Sequence, residues 1–154
     1  APARMDPHGA HHRRMIAFTL NGAPASVPGG TSLLHALRGD CRLSGPRFGC
    51  GAEACGACHV LLDGVSHPSC ALAVEAVAGR SVVTVEGLDG RLIGSFAREQ
   101  AGQCGFCLSG ILISAAALLA RVPQPDEDAV REALQPHLCR CGAQNRIIRA
   151  VLAA

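Results

Sequence analysis

Eight of the nine cysteines in the sequence form two groups of four with regular spacing. The first group has the spacing C-x4-C-x2-C-x11-C and consists of Cys50, Cys55, Cys58 and Cys70. The second group has the spacing C-x2-C-x31-C-x-C and consists of Cys104, Cys107, Cys139 and Cys141. Four thiolates are a complete set of soft ligands, so each group can hold a metal centre.

The spacing of the first group favours iron-sulfur chemistry. Its C-x4-C-x2-C run is that of plant-type ferredoxins, in which four thiolates hold a 2Fe-2S cluster. Glycines and other small residues in 47–58 would let backbone N–H groups approach the sulfur atoms. In the second group, Cys104 and Cys107 precede a predicted helix, whose positive N-terminal end favours an anionic centre. The sequence therefore predicts two 2Fe-2S clusters.

Other uses of these cysteines are less well supported. Structural zinc usually pairs two CxxC knuckles, which neither group does. The segment 55–59 matches the C-x-x-C-H motif of c-type haem, but haem would leave Cys50 and Cys70 without a role, and His59 is expected to begin a strand instead. Disulfides are disfavoured by the odd count of nine and by the lack of a visible secretory segment. Cys41, outside both groups, is expected to be a small packed residue.

Composition argues against two classes of function. The net charge of +2 in 154 residues is too small to indicate a nucleic acid as the main partner. The longest apolar stretch, 110–120, is about half of the ~20 residues that a transmembrane helix needs. We therefore expect no nucleic-acid partner and no transmembrane segment.

Residues Ala1–Arg14 are set apart from the fold as a tail that is disordered or foreign to the natural protein. They contain no apolar segment, and Met15 follows them as a candidate natural start. Because no signal peptide is visible, the thiols are expected to meet the reducing cytoplasm. Export to the periplasm together with a partner stays open.

Residues 15–88 have a strand-rich pattern with one short helix, which predicts an α+β domain. Asn21-Gly22 and Asp63-Gly64 are hairpin signals between strands. The predicted strands are Ile16–Leu20, the segment up to Val27, Val60–Leu62, the segment from Val65, and Ser81–Val85. A helix is predicted over Ser32–Arg38, with Thr31 as its N-cap and Gly39 as its stop.

Residues 92–154 have a helical pattern and predict a small four-helix bundle. The predicted helices are Leu92–Gln100, Leu108–Arg121, Asp126–Leu134 and Asn145–Ala153. The helix after Cys107 would run ~20 Å outward, and the next helix would bring the chain back to Cys139. All four thiols of the second group can then meet at one end of the bundle.

Several segments resemble the small iron-sulfur subunit of the molybdenum hydroxylases, the family of xanthine oxidase and aldehyde oxidoreductase. The resemblance covers Met15 to the C-terminus. Its segments, all in the family's order, are SLLHALR, RFGCGAEACGACHVLLDG with Cys70, TVEGL, QCGFC followed by SAAALL, and LCRCGAQNRIIRAV.

The resemblance implies a β-grasp, ferredoxin-like domain followed by the helical domain. It implies that the second cysteine group holds the cluster beside the molybdopterin of a large subunit, and that the first group holds the cluster facing the outgoing acceptor. It also places Gln103 and Cys141 at the pterin, which in this family includes the cytosine dinucleotide form. FAD or haem would be carried by a partner, either a medium FAD-binding subunit or a c-type cytochrome subunit. This chain would contribute no catalytic residue of its own.

The sequence departs from the family pattern at three places. Glu53 and Ala54 replace a common Gly and Gln, which puts a carboxylate near the first cluster. Leu108-Ser109 replaces a frequent Thr-Pro, and 142–145 replaces Thr-Gly-Tyr-x. The last two variants resemble the branch acting on N-heteroaromatics such as isoquinoline or nicotinate, some members of which pass electrons to a c-type cytochrome.

The leading hypothesis is an electron-transfer subunit of a molybdenum hydroxylase that oxidises an N-heteroaromatic or an aldehyde. The alternative is a free-standing two-cluster ferredoxin or redox-sensing module. A free carrier usually has a strongly acidic surface for steering, which the net charge of +2 does not provide. A zinc-stabilised scaffold is the third hypothesis.

Overall fold

The computed structural model describes residues 14–154, so the predicted tail lies outside the described residues except for Arg14. The carbonyl oxygen of Arg14 accepts a hydrogen bond from the N–H of Gly29, at 2.9 Å. In the part of the chain from Arg14 onward, no helix is long and apolar enough to cross a membrane.

The first half of the chain is built on a mixed sheet of five strands in the order β2-β1-β5-β3-β4. The strands are β1 Met15–Leu20, β2 Ala23–Pro28, β3 His59–Leu62, β4 Val65–Pro68 and β5 Ser81–Val83. β1 pairs in parallel with β5 at the centre, and the other pairings are antiparallel. Helix α1 (Leu33–Gly39) buries Leu33 and Leu37 in the core of this half, and Leu34 packs beside Cys58 and Cys70. This is the expected β-grasp arrangement.

Both predicted hairpins are confirmed. Asn21 and Gly22 have φ of 51° and 82°, and Asp63 and Gly64 have φ of 49° and 84°. Positive φ at both central residues is the requirement of a type I′ turn, whose twist matches that of the flanking strands. The second hairpin brings β4 next to β3, which begins one residue after Cys58.

The predicted start of α1 was wrong by one residue. The N-cap is Ser32, whose hydroxyl oxygen accepts the N–H of His35 at 3.4 Å. Thr31 instead uses its backbone carbonyl to accept the N–H of Val74, at 3.0 Å, which ties it to a neighbouring segment. Gly39 is the last helical residue rather than the residue after the helix.

The last strand is also shorter than predicted. β5 ends at Val83, and residues Val85–Gly87 form a 3₁₀ turn. The reason lies in Thr84, whose buried side chain bonds the amide of Asn21 at 3.0 Å instead of continuing a strand pattern. The β-branched composition of this segment did not reveal that tertiary contact.

The second half contains four helices around a separate hydrophobic core, as predicted. They are α2 Gly90–Arg98, α3 Leu108–Arg121, α4 Glu127–Leu134 and α5 Gln144–Leu152. The bounds of α3 are those predicted, and the other helices differ by one or two residues at their ends. Asp89 and Asp126 are N-caps, because each carboxylate accepts an N–H of its own first turn.

Helix α3 joins the two halves. Its apolar residues belong to the core of the helical half, and its other side packs against β3 and β4 of the sheet. Gly110 lies in the first turn of α3, where a Cβ would overlap the carbonyl group of Gly56. The absence of a side chain at Gly110 therefore allows this close approach between the two halves.

Candidate metal centres

The loop of the first cysteine group folds around Cys50. Gly51, Glu53 and Gly56 have φ of 68°, 58° and 74°, so the chain reverses direction repeatedly over a few residues. As a result, the N–H groups of Ala52 and Ala54 both point at the sulfur of Cys50, at 3.3 Å each. These two hydrogen bonds lower the pKa of Cys50 to about 7, which favours the thiolate.

The four thiols of the first group lie as two pairs. Cys55 is near enough to Cys50 to lower its pKa further. Cys58 and Cys70 are both buried and pack together with Leu34. Burial raises the pKa of Cys58 and, together with the Cys70 thiol, outweighs the backbone N–H groups of Ser69 and Cys70, which act to lower it. The first pair is therefore nearer the surface, and the second lies against the core.

The second group is paired in the same way, Cys104 with Cys141 and Cys107 with Cys139. The N–H of Phe106, followed by the thiol of Cys141, lowers the pKa of Cys104. Burial and then Cys139 raise the pKa of Cys107 to about 12. Burial acts to raise the pKa of Cys139. Hydrogen bonds from backbone N–H groups, of which that of Ala143 has the largest effect, outweigh burial, so the pKa falls below its ordinary value. The loops before α3 and before α5 thus bring all four thiols to one end of the bundle.

This arrangement fits binuclear clusters. A 2Fe-2S centre takes two thiolates on each iron, so it needs two neighbouring pairs rather than four donors around one point. Gly49 supplies a cradle beside Cys55, since a Cβ there would lie 2.7 Å from the sulfur. The donor chemistry of the thiols and their pairing therefore fit two such clusters.

Cys41 is separate from both groups. It is partly buried, packs against the core of the first half, and has a pKa raised by burial and by Asp40. The prediction of a small packed residue is confirmed.

One backbone hydrogen bond joins the two ligand loops. The N–H of Leu138 donates to the carbonyl oxygen of Cys55, at 3.1 Å, and the next residue is Cys139. Nearby, the hydroxyl of Ser109 on α3 donates to the carbonyl oxygen of Ala57, at 3.1 Å. The polypeptide therefore connects a thiol of the first group to one of the second through a single hydrogen bond.

Beside this connection lies a chain of polar side chains that the sequence analysis did not identify. It consists of His59, Ser66, Ser114 and His137, joined by three contacts of 2.7 Å each. One signal was available, because Ser114 interrupts the apolar stretch 110–120 of a helix predicted to be buried. Its partners, however, come from β3, β4 and the 136–139 segment, which only the tertiary structure brings together.

Gln103 and Cys104 are exposed side by side at the end of the bundle, and Cys141 is half-buried there. Two apolar side chains are exposed near the same thiols: Leu138 is 67% exposed and Phe106 is 44% exposed. Gln103 and Cys141 can therefore both be reached from outside the chain, as contacts with a group on another subunit would require.

Comparison with known proteins identifies both halves. Residues 18–84 match the 2Fe-2S iron-sulfur cluster binding domain, and residues 84–152 match a second family, the 2Fe-2S binding domain. The chain is 43% identical to one subunit of the nicotinate dehydrogenase of Pseudomonas putida, over 88% of this chain and 91% of that one. It is 44% identical to the alpha subunit of the isoquinoline 1-oxidoreductase of Brevundimonas diminuta, over 89% and 95% of the two chains.

A solved structure agrees with these relatives. The fold matches quinoline 2-oxidoreductase from Pseudomonas putida 86 with a TM-score of 0.86, at 39% identity and covering 90% of each chain. Identity at this level over nearly the whole length is enough to establish kinship. The chain belongs to the family of small iron-sulfur subunits of the molybdenum hydroxylases.

Proposed function

We propose that this chain carries electrons to an outgoing acceptor from a large molybdopterin subunit, in the hydroxylation of an N-heteroaromatic ring. The substrate class rests on the relatives, which are named for nicotinate and isoquinoline. In such a reaction R–H and water give R–OH, two protons and two electrons. A 2Fe-2S cluster takes up and releases one electron at a time, so the two electrons cross this chain in succession.

The observation that carries the proposal is the hydrogen bond between Leu138 N–H and the carbonyl oxygen of Cys55. It lies between two complete sets of paired thiols, so each set has a short connection to the other through the polypeptide. We assign the first cluster to Cys50, Cys55, Cys58 and Cys70. We assign the second cluster to Cys104, Cys107, Cys139 and Cys141.

The second cluster is proposed to face the large subunit. Gln103 and Cys141 would contact the pterin, which their exposure at the end of the bundle supports. The exposed side chains of Phe106 and Leu138 would be covered by the same subunit, because apolar groups of this size favour burial in an interface. We place the division between the two cluster-binding units between residues 88 and 92.

The first cluster is proposed to face the acceptor, since Cys50 and its neighbours 51–54 are exposed. The acceptor is an FAD-binding medium subunit or a c-type cytochrome subunit. We place the complex in the cytoplasm, because thiol ligands persist in a reducing compartment.

Low-temperature EPR of the anaerobically reduced chain, with spins counted per polypeptide, tests the cluster assignment. Two distinct signals totalling about two spins are expected, because each reduced 2Fe-2S cluster contributes one. A colourless protein with bound zinc and no iron signal would refute the assignment. Co-purification with a large molybdenum-containing chain, and reduction of both clusters by a heteroaromatic substrate in that complex, would establish the role. A chain that purifies alone with both clusters, and is not reduced by such substrates in any complex, would support a free carrier instead.

A further inference from the structure

The polar link is our name for the chain His59–Ser66–Ser114–His137. Nδ1 of His59 contacts the hydroxyl of Ser66, which contacts the hydroxyl of Ser114, which contacts Nε2 of His137, each at 2.7 Å. The two imidazole rings also meet edge to face, with centroids 4.8 Å apart. The link therefore crosses the boundary between the sheet and the helical half.

The protons of the polar link can be counted. Its three hydrogen bonds need three protons, and the two serine hydroxyls supply two of them. One imidazole must therefore donate the third. Removing any member of the polar link therefore leaves a neighbouring polar group without a hydrogen-bond partner. That group stays shielded from water and has lost the bond that compensated for it, which lowers the stability of the fold.

Ser114 is the member whose hydrogen bonds reach both halves. It lies on α3, is 5% exposed, and reaches Ser66 on β4 with the same oxygen that reaches His137. His137 precedes Leu138, whose N–H bonds the carbonyl oxygen of Cys55. Because the Leu138 side chain is 67% exposed, burial of that side chain does not hold this segment in place. The partly buried His137 ring, through its contact with Ser114, is the side chain that does.

We propose that Ser114 is a positioning residue for electron transfer between the two clusters. Through His137 it holds the segment that leads to Cys139, and through Ser66 and His59 it holds the strand that follows Cys58. It thereby fixes the gap between the two ligand loops. The inference rests on the proposed electron-transfer function, because tunnelling rates fall steeply as the gap between two redox centres widens.

The test compares Ser114→Ala with Ser95→Ala in the intact complex. Ser95 is a matched control, because it is fully buried and its hydroxyl donates one hydrogen bond, to the carbonyl oxygen of Ala150 at 2.6 Å, within the helical half. The measurements are the magnetic dipolar coupling between the two reduced clusters, the rate of electron transfer between them, and hydrogen exchange of the Leu138 amide.

For Ser114→Ala we expect a weaker dipolar coupling, a several-fold slower transfer rate and faster exchange at Leu138. For Ser95→Ala we expect the coupling, the transfer rate and the exchange to stay at the wild-type values, even if this variant loses as much stability as Ser114→Ala does. Ser114→Thr keeps the hydroxyl on a residue that lines a groove of about 310 Å³, so it should restore the wild-type behaviour.

If Ser114→Ala does not fold, Ser66→Ala removes the hydrogen bond between the two serines, and with it the connection from Ser114 to β4 and His59, and is read with the same measurements. Wild-type coupling, transfer rate and exchange in a folded Ser114→Ala or Ser66→Ala protein would overturn the inference. A wild-type protein without two cluster signals would instead overturn the proposed function, so the two failures are distinguishable.

Discussion

The guanidinium group of Arg47 lies over the ring of Phe106, 5.5 Å from its centroid. Arg47 comes three residues before Cys50, and Phe106 stands between Cys104 and Cys107, so this contact joins the two ligand loops. The Nε of Arg47 is buried and has no hydrogen-bond partner in the described part of the chain. A permanent positive charge is thus held between two sites proposed to carry anionic clusters.

Replacing Arg47 by Gln should lower the reduction potential of at least one cluster. A fixed positive charge stabilises the more negative, reduced state, and its effect is large where water is excluded. We expect the reduction potential to fall by on the order of 60 mV, which corresponds to a tenfold change in the equilibrium constant of a one-electron couple. A redox titration followed by EPR would measure it.

Arg42→Gln is the control for that experiment. Arg42 is an exposed residue of the same region, so solvent screens its charge and both potentials should stay close to the wild-type values. Equal shifts in the two variants would mean that total charge, not the partly buried position of Arg47 between the two ligand loops, sets the potentials.

Two glycine-to-alanine changes in helices should have opposite effects on stability. Gly94 in α2 has room for a methyl group, since the nearest atom is a flexible Arg98 nitrogen at 3.5 Å. Gly94→Ala should therefore stabilise the protein by about 0.5–1 kcal/mol. Gly110→Ala should destabilise it by about 1–3 kcal/mol, because the new methyl group would overlap the Gly56 carbonyl. Urea unfolding of both variants measures the difference.

Stabilisation by Gly110→Ala would contradict the close contact between α3 and the loop of the first cysteine group. The same variant should also lose iron more easily than wild type, because Gly56 lies between Cys55 and Cys58. Gly94→Ala should keep its iron, which separates local damage from a general change in stability.

Serine substitutions should separate the ligands from the ninth cysteine. Cys58→Ser is expected to abolish one EPR signal and keep the other, and Cys107→Ser should do the reverse, because each thiol belongs to a different set. Cys41→Ser should leave both signals, since this residue packs against the core of the first half. Iron content and spin count per chain are the measurements. Loss of a cluster in a folded Cys41→Ser protein would contradict the assignment.

The sequence was sufficient to predict which helices and strands form, with some of their ends misplaced, but not the contacts between them. Helix α3 was predicted with its observed bounds because Cys107 precedes its apolar run and Val122-Pro123 follows it. β5 was predicted two residues too long, because the contact of Thr84 with Asn21 joins positions far apart in sequence. The polar link was missed for the same reason. Local patterns specify helices and turns, whereas hydrogen bonds between distant side chains depend on how the elements pack.

Acid should weaken one contact between the 3₁₀ turn and the loop before the first cysteine group. Glu86 accepts hydrogen bonds from Thr84 and from the N–H of Gly45, both at 2.6 Å. Although burial acts to raise the pKa of Glu86, these hydrogen bonds outweigh it and the pKa falls below its ordinary value. The carboxylate therefore stabilises the fold above the unfolded-state pKa, about 4.3. That stability is lost as the pH falls through the lower folded-state pKa.

Glu86→Gln should accordingly reduce stability at pH 7 by less than about 1 kcal/mol, because the group is partly solvated. The difference from wild type should shrink below pH 4. Thermal unfolding at several pH values would show it, with Glu132→Gln on the exposed surface of α4 as a control of equal charge. A difference that persists unchanged at pH 3 would show that the contribution of Glu86 is steric rather than electrostatic.

The acceptor should be sensitive to the charge at Glu53. This residue is exposed, has φ of 58°, and lies between Ala52 and Ala54, whose N–H groups face the sulfur of Cys50. Glu53→Lys reverses the charge on the surface proposed to meet the acceptor. We expect the rate of reoxidation by the acceptor to change about three- to tenfold, with an altered dependence on ionic strength.

Reduction by substrate should change little in Glu53→Lys, because that half-reaction uses the proposed second cluster at the other end of the path. Stopped-flow measurements of the two half-reactions in the assembled complex test this separation. Glu132→Lys makes the same change of charge on α4 and should affect neither half-reaction. Equal effects of Glu53→Lys on both half-reactions would contradict the proposed direction, because charge near Cys50 would then act on the whole complex instead of on one docking surface.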